Sequence, residues 1–347
     1  MHRFLQLHLL TSYPPSNLNR DDLSRPKSAI VGGVKRLRIS SQSLKRAWRS
    51  SELFAQTLEG HVGVRTKEMG RKIYRDLTAR GVAEKDAKEW AKAIAGRFGA
   101  LKKTTDKLAE LDIEQLAHFS PEEQAAIDSL VQTLAAQGSA PTEEQLKLLR
   151  HEHRAADIAL FGRMLASSPD FNTEAAAQIA HAITVHKVQE EDDFFTAVDD
   201  LNRANMGAGH MGESGFGAGV FYLYACINRE LLRDNLQGDD GLTKKTLAAI
   251  LEAMCKIAPA GKQNSYASRA YASYALAEKG DQQPRSLSLA FVDPVVGPDF
   301  INQAIGRLND RMEKLDKVYG DCAAARYAFN AEQGEGSLND LIRFATE

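Results

Sequence analysis

Between Arg25 and Ser50 the chain carries Arg25, Lys27, Lys35, Arg36, Arg38, Lys45, Arg46 and Arg49 and no acidic residue, eight positive charges within 26 residues. Cations at that density suit phosphates, because a polyanion responds to local charge rather than to the sum over a molecule. The pattern also has geometry. In Lys35-Arg-Leu-Arg-Ile-Ser40 apolar and polar residues alternate, so a strand turns Leu37 and Ile39 to one face and Arg36, Arg38 and Ser40 to the other. Ser41-Gln-Ser-Leu-Lys-Arg-Ala-Trp-Arg49 then reads as a helix entered through serine caps, with Leu44, Ala47, Trp48, Leu53 and Phe54 for the core-facing side. Gln42, Lys45, Arg46 and Arg49 fall on one stripe at i, i+3, i+4 and i+7. A basic strand face running into a serine-rich helix N-terminus favours anions. A merely solvated helix mixes both signs, so the lack of any Asp or Glu favours polyanion binding over a solvated face.

Other candidate chemistry is weaker. Gly207-Ala-Gly-His-Met-Gly212 matches GxGxxG, but its flanks offer neither the preceding buried strand nor the following helix of a dinucleotide site, and it reads as a flexible loop. His151-Glu-His153 lacks the i, i+4 spacing that places two imidazoles on one helix face, so no metal site is expected there. His181 and His186 read as residues on opposite faces of a strand with structural roles. Asp21 and Asp22, beside Arg20, have the chemistry to hold a hard cation, but a turn cap or loop ion pair is the better explanation of them. No nucleophile, base and orienting group occur together, and neither a catalytic site, a metal nor a cofactor is expected.

The elements that must position the basic stripe belong to a chain of 347 residues, enough for about two domains. Its 43% hydrophobic and 26% charged residues are those of a soluble globular protein. The formal net charge is only -2, which leaves -10 for the chain outside the basic run. Three widely spaced cysteines suggest a reducing compartment, the N-terminus is too polar for a signal peptide, and no apolar run approaches the ~20 residues that span a bilayer. A cytoplasmic protein without membrane contact is expected.

Strands are expected at 4–10, 35–40, 178–188, 219–227 and 285–292, and helices at 242–257 and 299–318. Residues from about 67 to 164 read as almost entirely helical. Without that block the order is close to the βαββαβ of a ferredoxin-like or RRM-like fold with a large insertion, an α+β protein. Between the strands near Val188 and Val220, four acidic residues, Phe194-Phe195-Thr196 and a glycine-rich stretch suggest a projecting hairpin. Its aromatics suit stacking on bases, or equally the anchoring of the arm.

Several strings occur together: Leu18-Asn-Arg-Asp-Asp22, Ala29-Ile-Val-Gly-Gly33, Arg38-Ile-Ser-Ser-Gln-Ser-Leu-Lys-Arg-Ala47, Asp157-Ile-Ala-Leu-Phe-Gly-Arg-Met164, Ala180-His-Ala-Ile-Thr184, Phe195-Thr-Ala-Val-Asp-Asp-Leu201 and Gly219-Val-Phe-Tyr222. In this order they closely resemble the CasC-type backbone subunit of the type I-E CRISPR Cascade complex. They cover the N-terminal quarter and 157–228; elsewhere the resemblance is looser.

The resemblance implies an RRM-like palm (1–60, 178–188 and 220–347), helical fingers (61–177) and a β-hairpin thumb (189–219). It implies a non-enzymatic subunit that lines up in several copies along the spacer of a CRISPR RNA, kinks the guide periodically and leaves bases free to pair with target DNA. Large, small and guide-end-binding Cascade subunits would be further partners. Arg20, Lys27, Ser40, Gln42, Lys45 and Arg49 would touch the guide backbone, joined by Arg38 and Arg46 from the basic run. Met164 would insert beside a displaced nucleotide, and Phe195, Thr196 and Val198 would form the kinking segment of the thumb. Val34 replaces the basic residue expected directly after the double glycine, which leaves Lys35, with Lys147 and Arg150, to face target DNA. The acidic stretch from Glu190 to Asp193 is expected to meet a basic patch on the next copy. The rival is a metal-dependent RNase of the type III backbone-subunit kind, using a loop aspartate such as Asp21 or Asp22. A general single-strand binder without a fixed guide is a third reading.

Overall fold

The computed structural model describes residues 2–198 and 208–347, and the side chains of 197, 198 and 208–210 lie outside the described residues. Its strands are β1 (Phe4–Ser16), β2 (Ser28–Val31), β3 (Val34–Ile39), β4 (Val64–Thr66), β5 (Ala117–Phe119), β6 (Ala177–Ile179), β7 (Ala182–Thr184), β8 (Glu191–Val198), β9 (Ala208–Asn228), β10 (Tyr274–Gly280) and β11 (Ala325–Asn330). The chain forms two compact units. One comprises Met1–Ala55, Gln178–Arg229 and Leu247–Glu347, and the other Gln56–Ala177 and Glu230–Thr246.

The first unit is built on a sheet in the order β11-β10-β1-β9-β7-β3-β2, with β6 and β8 also paired to β9. The pairings of β1 with β9 and β10, of β9 with β7, and of β7 with β3 are all antiparallel. β1 is central, and Leu7 stands opposite both Ala225 and Ala277. Leu5, Leu7 and Leu9 are buried as their spacing predicts, but so are Gln6 and His8, which alternation alone assigns to an open face. Their face is covered and satisfied by a polar network. His8 Nε2 is 3.1 Å from Glu278 Oε2, and Tyr224 Oη donates to Gln6 Oε1 at 2.9 Å. Above another part of the sheet, Ala304, Ile305 and Leu308 of the helix Phe300–Tyr319 pack with Leu10, Tyr222, Leu276 and Phe291.

The helices expected at 242–257 and 299–318 are present as Asp240–Lys256 and Phe300–Tyr319. The expected strand at 285–292 is not. Leu287, Leu289 and Phe291 alternate in the sequence, yet Leu287 and Phe291 are buried while Leu289 is 58% exposed. That is one helical turn, a 3-10 segment at Ser288–Phe291. The strands beside β1 and beyond it are instead β10 and β11, which the sequence reading passed over. The expected strand at 178–188 is divided between the short β6 and β7.

The second unit has helices Met69–Ala79, Glu84–Ala95 and Pro121–Gln137 around a core that includes Ile73, Leu77, Trp90, Ile94, Phe119, Ile127 and Leu134. Ser120 starts the last of these helices with a full capping box: its hydroxyl accepts from the Glu123 N–H, and Glu123 accepts from the Ser120 N–H. Gly138, at φ 64°, ends it. The block is less helical than its composition suggests, since β4 and β5 form an antiparallel ladder. Glu230–Thr246, placed in the palm by the sequence reading, groups with this unit. Asn235 explains the difference, because its Nδ2 donates to the carbonyls of Ala159 and Glu174 at 3.1 and 2.9 Å. Among the described residues no helix is long and apolar enough to cross a membrane.

Candidate nucleic-acid interface

In the first unit β2 and β3 pair from Ser28↔Leu37 to Val31↔Val34 around a turn at Gly32 and Gly33, with φ of 58° and 75°. Positive φ at both central residues suits a tight hairpin and favours glycine. Any side chain at Gly32 would also strike the Val292 carbonyl oxygen, 1.7 Å from where its Cβ would stand. β3 leads directly into the helix Ser41–Arg49.

Ser40 is the N-cap of that helix. Its hydroxyl accepts from Ser43 N at 3.3 Å, and its own N–H donates to Asn19 Oδ1 at 2.9 Å. The Ser40 side chain is therefore buried in the architecture of the junction. Leu44 and Trp48 are buried one turn apart, and Trp48 Nε1 donates to the Ile257 carbonyl at 3.2 Å. With that face anchored, Gln42 and Arg46 are exposed and Lys45 and Arg49 half-buried. Burial pulls the Lys45 ammonium below its usual pKa. No acidic residue occupies the first turn of the helix, while Arg46 and Arg49 complement its C-terminal end.

The eight cations of the basic run divide. Arg36, expected on the phosphate face, is fully buried, and its guanidinium donates to the carbonyls of Thr184, Phe291 and Val292 at 2.8, 3.0 and 3.2 Å. Burial and the nearby Arg307 hold its pKa below the usual value. Lys35 pairs with Glu190 at 2.8 Å, and Arg25 reaches Asp192 at 3.7 Å. These two pairs tie the base of the β8–β9 hairpin to its own unit. They therefore occupy half of the acidic stretch expected to meet another copy, and they occupy the Lys35 ammonium expected to face DNA.

Arg20, Lys27, Arg38 and Arg46 meet no carboxylate among the described residues. Lys27 and Arg38 are adjacent, the Lys27 carbonyl accepting from Arg38 N at 2.8 Å. Arg38 Nη1 in turn donates to His181 Nδ1 at 2.8 Å. His181 is exposed and His186 is buried. His186 has the structural role expected of it: it stacks on Phe300 at 4.2 Å and accepts from Val220 N at 3.2 Å. His181 does not share that role.

The hairpin of β8 and β9 pairs Phe194 with Glu213, Phe195 with Gly212 and Thr196 with Met211. Phe194 and Phe195 are 61% and 43% exposed, on opposite faces of the strand. The Phe195 ring lies across Gly212, where an added Cβ would come within 2.6 Å of Cζ. Thr196 is exposed. Val198 is paired in the backbone ladder with Ala208, but its side chain lies outside the described residues. The GxGxxG string is not a loop throughout: Gly209 and Gly212 belong to β9, and Gly207 lies outside the described residues. The glycines at the hairpin base make room for packed side chains. A Cβ at Gly217 would be 2.9 Å from Leu37 Cδ1, and one at Gly219 would be 2.9 Å from His186 Nε2. Asn17 fastens this base, its Nδ2 donating to the carbonyls of Gly215 and Ser24 at 2.8 and 3.0 Å. Lys262 Nζ donates to Ser214 Oγ at 2.9 Å. Sequence reasoning missed Asn17 and Lys262, which stand outside any periodic pattern.

In the second unit Met164 is 74% exposed at the rim of a pocket of about 170 Å³ that Phe98, Ile113, Leu116 and Leu165 also line. Lys147 pairs with Glu144 at 2.5 Å, and the Arg150 guanidinium folds back on the carbonyls of Lys147 and Leu149 at 2.8 and 3.3 Å. Asp21 caps its own loop, its Oδ1 accepting from the N–H groups of Leu23 and Arg25, both at 2.9 Å. His151 stacks on Phe171. Among the described residues no group of three or more His, Cys, Asp or Glu could hold a metal ion.

This architecture is shared with known assemblies. A chain of a structure described as "CRISPR RNA-guided surveillance complex, pre-nicking" is 30% identical and superposes with a TM-score of 0.85 over 99% of this chain and 100% of that one. A chain of a "CRISPR RNA-guided surveillance complex" is 26% identical, with a TM-score of 0.75 over 99% and 100%. The mixed α+β fold is thus that of a surveillance-complex subunit. A family model described as "CT1975-like protein" matches residues 5–344, and the chain belongs to that family. No curated sequence matches it.

Proposed function

We propose that this protein is a non-catalytic, CasC-type backbone subunit of a type I-E-like Cascade complex, working in the cytoplasm. It binds CRISPR RNA, lines up in successive copies along the spacer, kinks the guide and presents its bases to target DNA beside large, small and guide-end-binding subunits. The observation that carries this reading is the acid-free junction of β3 and the helix Ser41–Arg49. Lys27, Arg38, Lys45, Arg46 and Arg49 come from one short run there, and the buried Leu44 and Trp48 fix which face of the helix stays open. Such a surface binds phosphates without reading sequence, which base pairing does instead.

The order β10-β1-β9-β7, all antiparallel, with a helix between β1 and β7 and another between β9 and β10, supports an RRM-like palm. The β8–β9 hairpin is the thumb and residues 56–177 the fingers. Arg20, Gln42 and Lys45 are backbone contacts, Met164 the finger residue, and Phe195 with Thr196 the kinking segment. Arg150 and Lys147 approach target DNA only after releasing their present partners.

The deciding experiment is to sequence the RNA that copurifies from cells carrying a CRISPR array. Processed guides of one repeat are expected; unselected cellular RNA would instead support a general single-strand binder. With a single-stranded RNA oligonucleotide, Lys45→Ala should weaken binding of every sequence alike and reduce the slope of log affinity against log salt by about 0.7. An unchanged slope would remove Lys45 from the interface. Magnesium-dependent cleavage of complementary RNA that Asp21→Asn or Asp22→Asn abolishes would replace this reading with the RNase.

A further inference from the structure

His181 lies where β7 begins, beside the end of β3. The register places Arg38 opposite Ile183 and Ile39 opposite Ala182, so one step further His181 reaches the level of Ser40, the cap of the basic helix. A guanidinium only donates, so the 2.8 Å contact from Arg38 Nη1 requires His181 Nδ1 to be an acceptor. The ring proton is then on Nε2, an atom that meets no protein acceptor among the described residues. Lys27, whose carbonyl holds the Arg38 backbone N–H, completes the group.

We propose that His181 is a positioning residue for RNA binding. Through Nδ1 it locks the Arg38 guanidinium in one orientation at the mouth of the basic helix, so that Arg38 and Lys27 together grip one phosphodiester of the RNA backbone. This rests on the RNA-binding reading of the same surface.

Two observations set His181 apart from an ordinary surface histidine. Partial desolvation of the exposed ring, then the charges of Arg38 and Lys27, hold its imidazole below its usual pKa, so at neutral pH the ring keeps its acceptor lone pair. These are the two charged groups that face it, Arg38 from β3 and Lys27 from the segment before β2. Arg38 meets no carboxylate, the usual partner of a guanidinium, among the described residues. An imidazole acceptor orients a guanidinium without cancelling its charge, and the full cation remains available to an anion.

The test is a double-mutant cycle on the full chain with a single-stranded RNA oligonucleotide, read by fluorescence anisotropy, with thermal unfolding as a check on folding. His181→Ala should weaken binding about fivefold. His181→Asn, which returns an acceptor at the position of Nδ1, should recover most of that loss. In an Arg38→Ala background His181→Ala should cost nothing further, because there is no guanidinium left to orient. Full additivity of the two changes, wild-type affinity of His181→Ala, or failure of His181→Asn to rescue would each overturn the proposal. Lys45→Ala and Arg38→Ala separate this from the broader reading. If both weaken binding while His181→Ala does not, only the role of His181 falls; if neither weakens it, the RNA-binding surface itself is wrong.

Discussion

Arg163→Ala is expected to destabilise the helical unit by about 3–5 kcal/mol, because it strands a buried carboxylate. Both side chains are enclosed, at 1% exposure for Arg163 and 0% for Glu123, and Arg163 Nη1 lies 2.7 Å from Glu123 Oε2. The guanidinium also donates to the carbonyls of Phe171, Arg150 and His118 at 3.0, 3.1 and 3.3 Å. Glu123 is fully engaged as well. It accepts from Ser120 N at 2.9 Å to close the capping box and from Arg150 N at 3.0 Å. Removing Arg163 leaves several carbonyls and a buried charge without their donor. Thermal and denaturant unfolding should show the loss, with Arg163→Lys intermediate because an ammonium cannot fork among four oxygens. Pairing Arg163→Met with Glu123→Gln should restore part of the stability by removing the charge while keeping the cap. A single Arg163→Ala change that leaves unfolding where it was would refute this account. Since Met164 is the next residue, the same substitution should also loosen whatever Met164 contacts.

Glu278→Ala is the second large effect, again about 3–5 kcal/mol. The carboxylate is wholly buried under the sheet. It faces His8 at 3.1 Å, Arg326 at 2.7 Å and the Arg285 guanidinium. Burial alone would raise its pKa, but the hydrogen bonds from His8 and Arg285 and the surrounding positive charge outweigh that and hold it well below the usual range. For His8 burial wins, and its pKa is lowered. We therefore assign an ionised Glu278 held by two guanidinium groups, and a neutral His8 that donates through Nε2 and accepts from Tyr222 Oη at 2.9 Å.

The pH dependence follows from both signs. Below about pH 6.5 the unfolded chain protonates His8 while the folded chain resists, so stability begins to fall. His153 and His186, both lowered chiefly by burial, add to the same trend. The contribution of Glu278 is complete above its unfolded pKa, near 4.5, and is lost only as pH falls through its depressed folded value. Unfolding free energies should therefore decline from pH 7 to 5 and decline faster below 4.5. Glu278→Gln should shrink the second part of the curve, to which the depressed carboxyl of Asp316 also contributes, and leave the first. A flat profile across this range would contradict the assignment.

What the sequence showed and what it hid have one physical basis. Periodicity revealed Leu44 and Trp48, and with them the open stripe of the helix, because burial there is one-sided. It misplaced Arg36, and alternation alone would likewise misplace Gln6 and His8, since both faces of their strands are covered, and a covered polar residue looks like an exposed one until its partners are known. Leu287, Leu289 and Phe291 fit two periods, and only packing decides between them. Tyr274-Ala-Leu-Ala has small residues where a strand is usually marked by bulky ones, so β10 passed unnoticed. The Lys27–Arg38–His181 group joins the basic run to a residue 143 positions further along, and a single sequence cannot show that they meet.

β9 runs without a break from Ala208 to Asn228, so one strand serves as both an arm of the hairpin and the neighbour of β1. The hydrogen-bond ladder changes partner along it, from β8 up to Phe216 to β1 from Gly217 onward, and the pairing with β1 is irregular between Tyr13 and Ser16. A load at the end of the arm therefore passes along one strand into the middle of the sheet, with that junction the place where it yields most readily. On the proposed function the arm acts as a ruler: the spacing it imposes on a bound RNA is a material property of the sheet, and shortening or lengthening β8 and β9 in step is the way to change it.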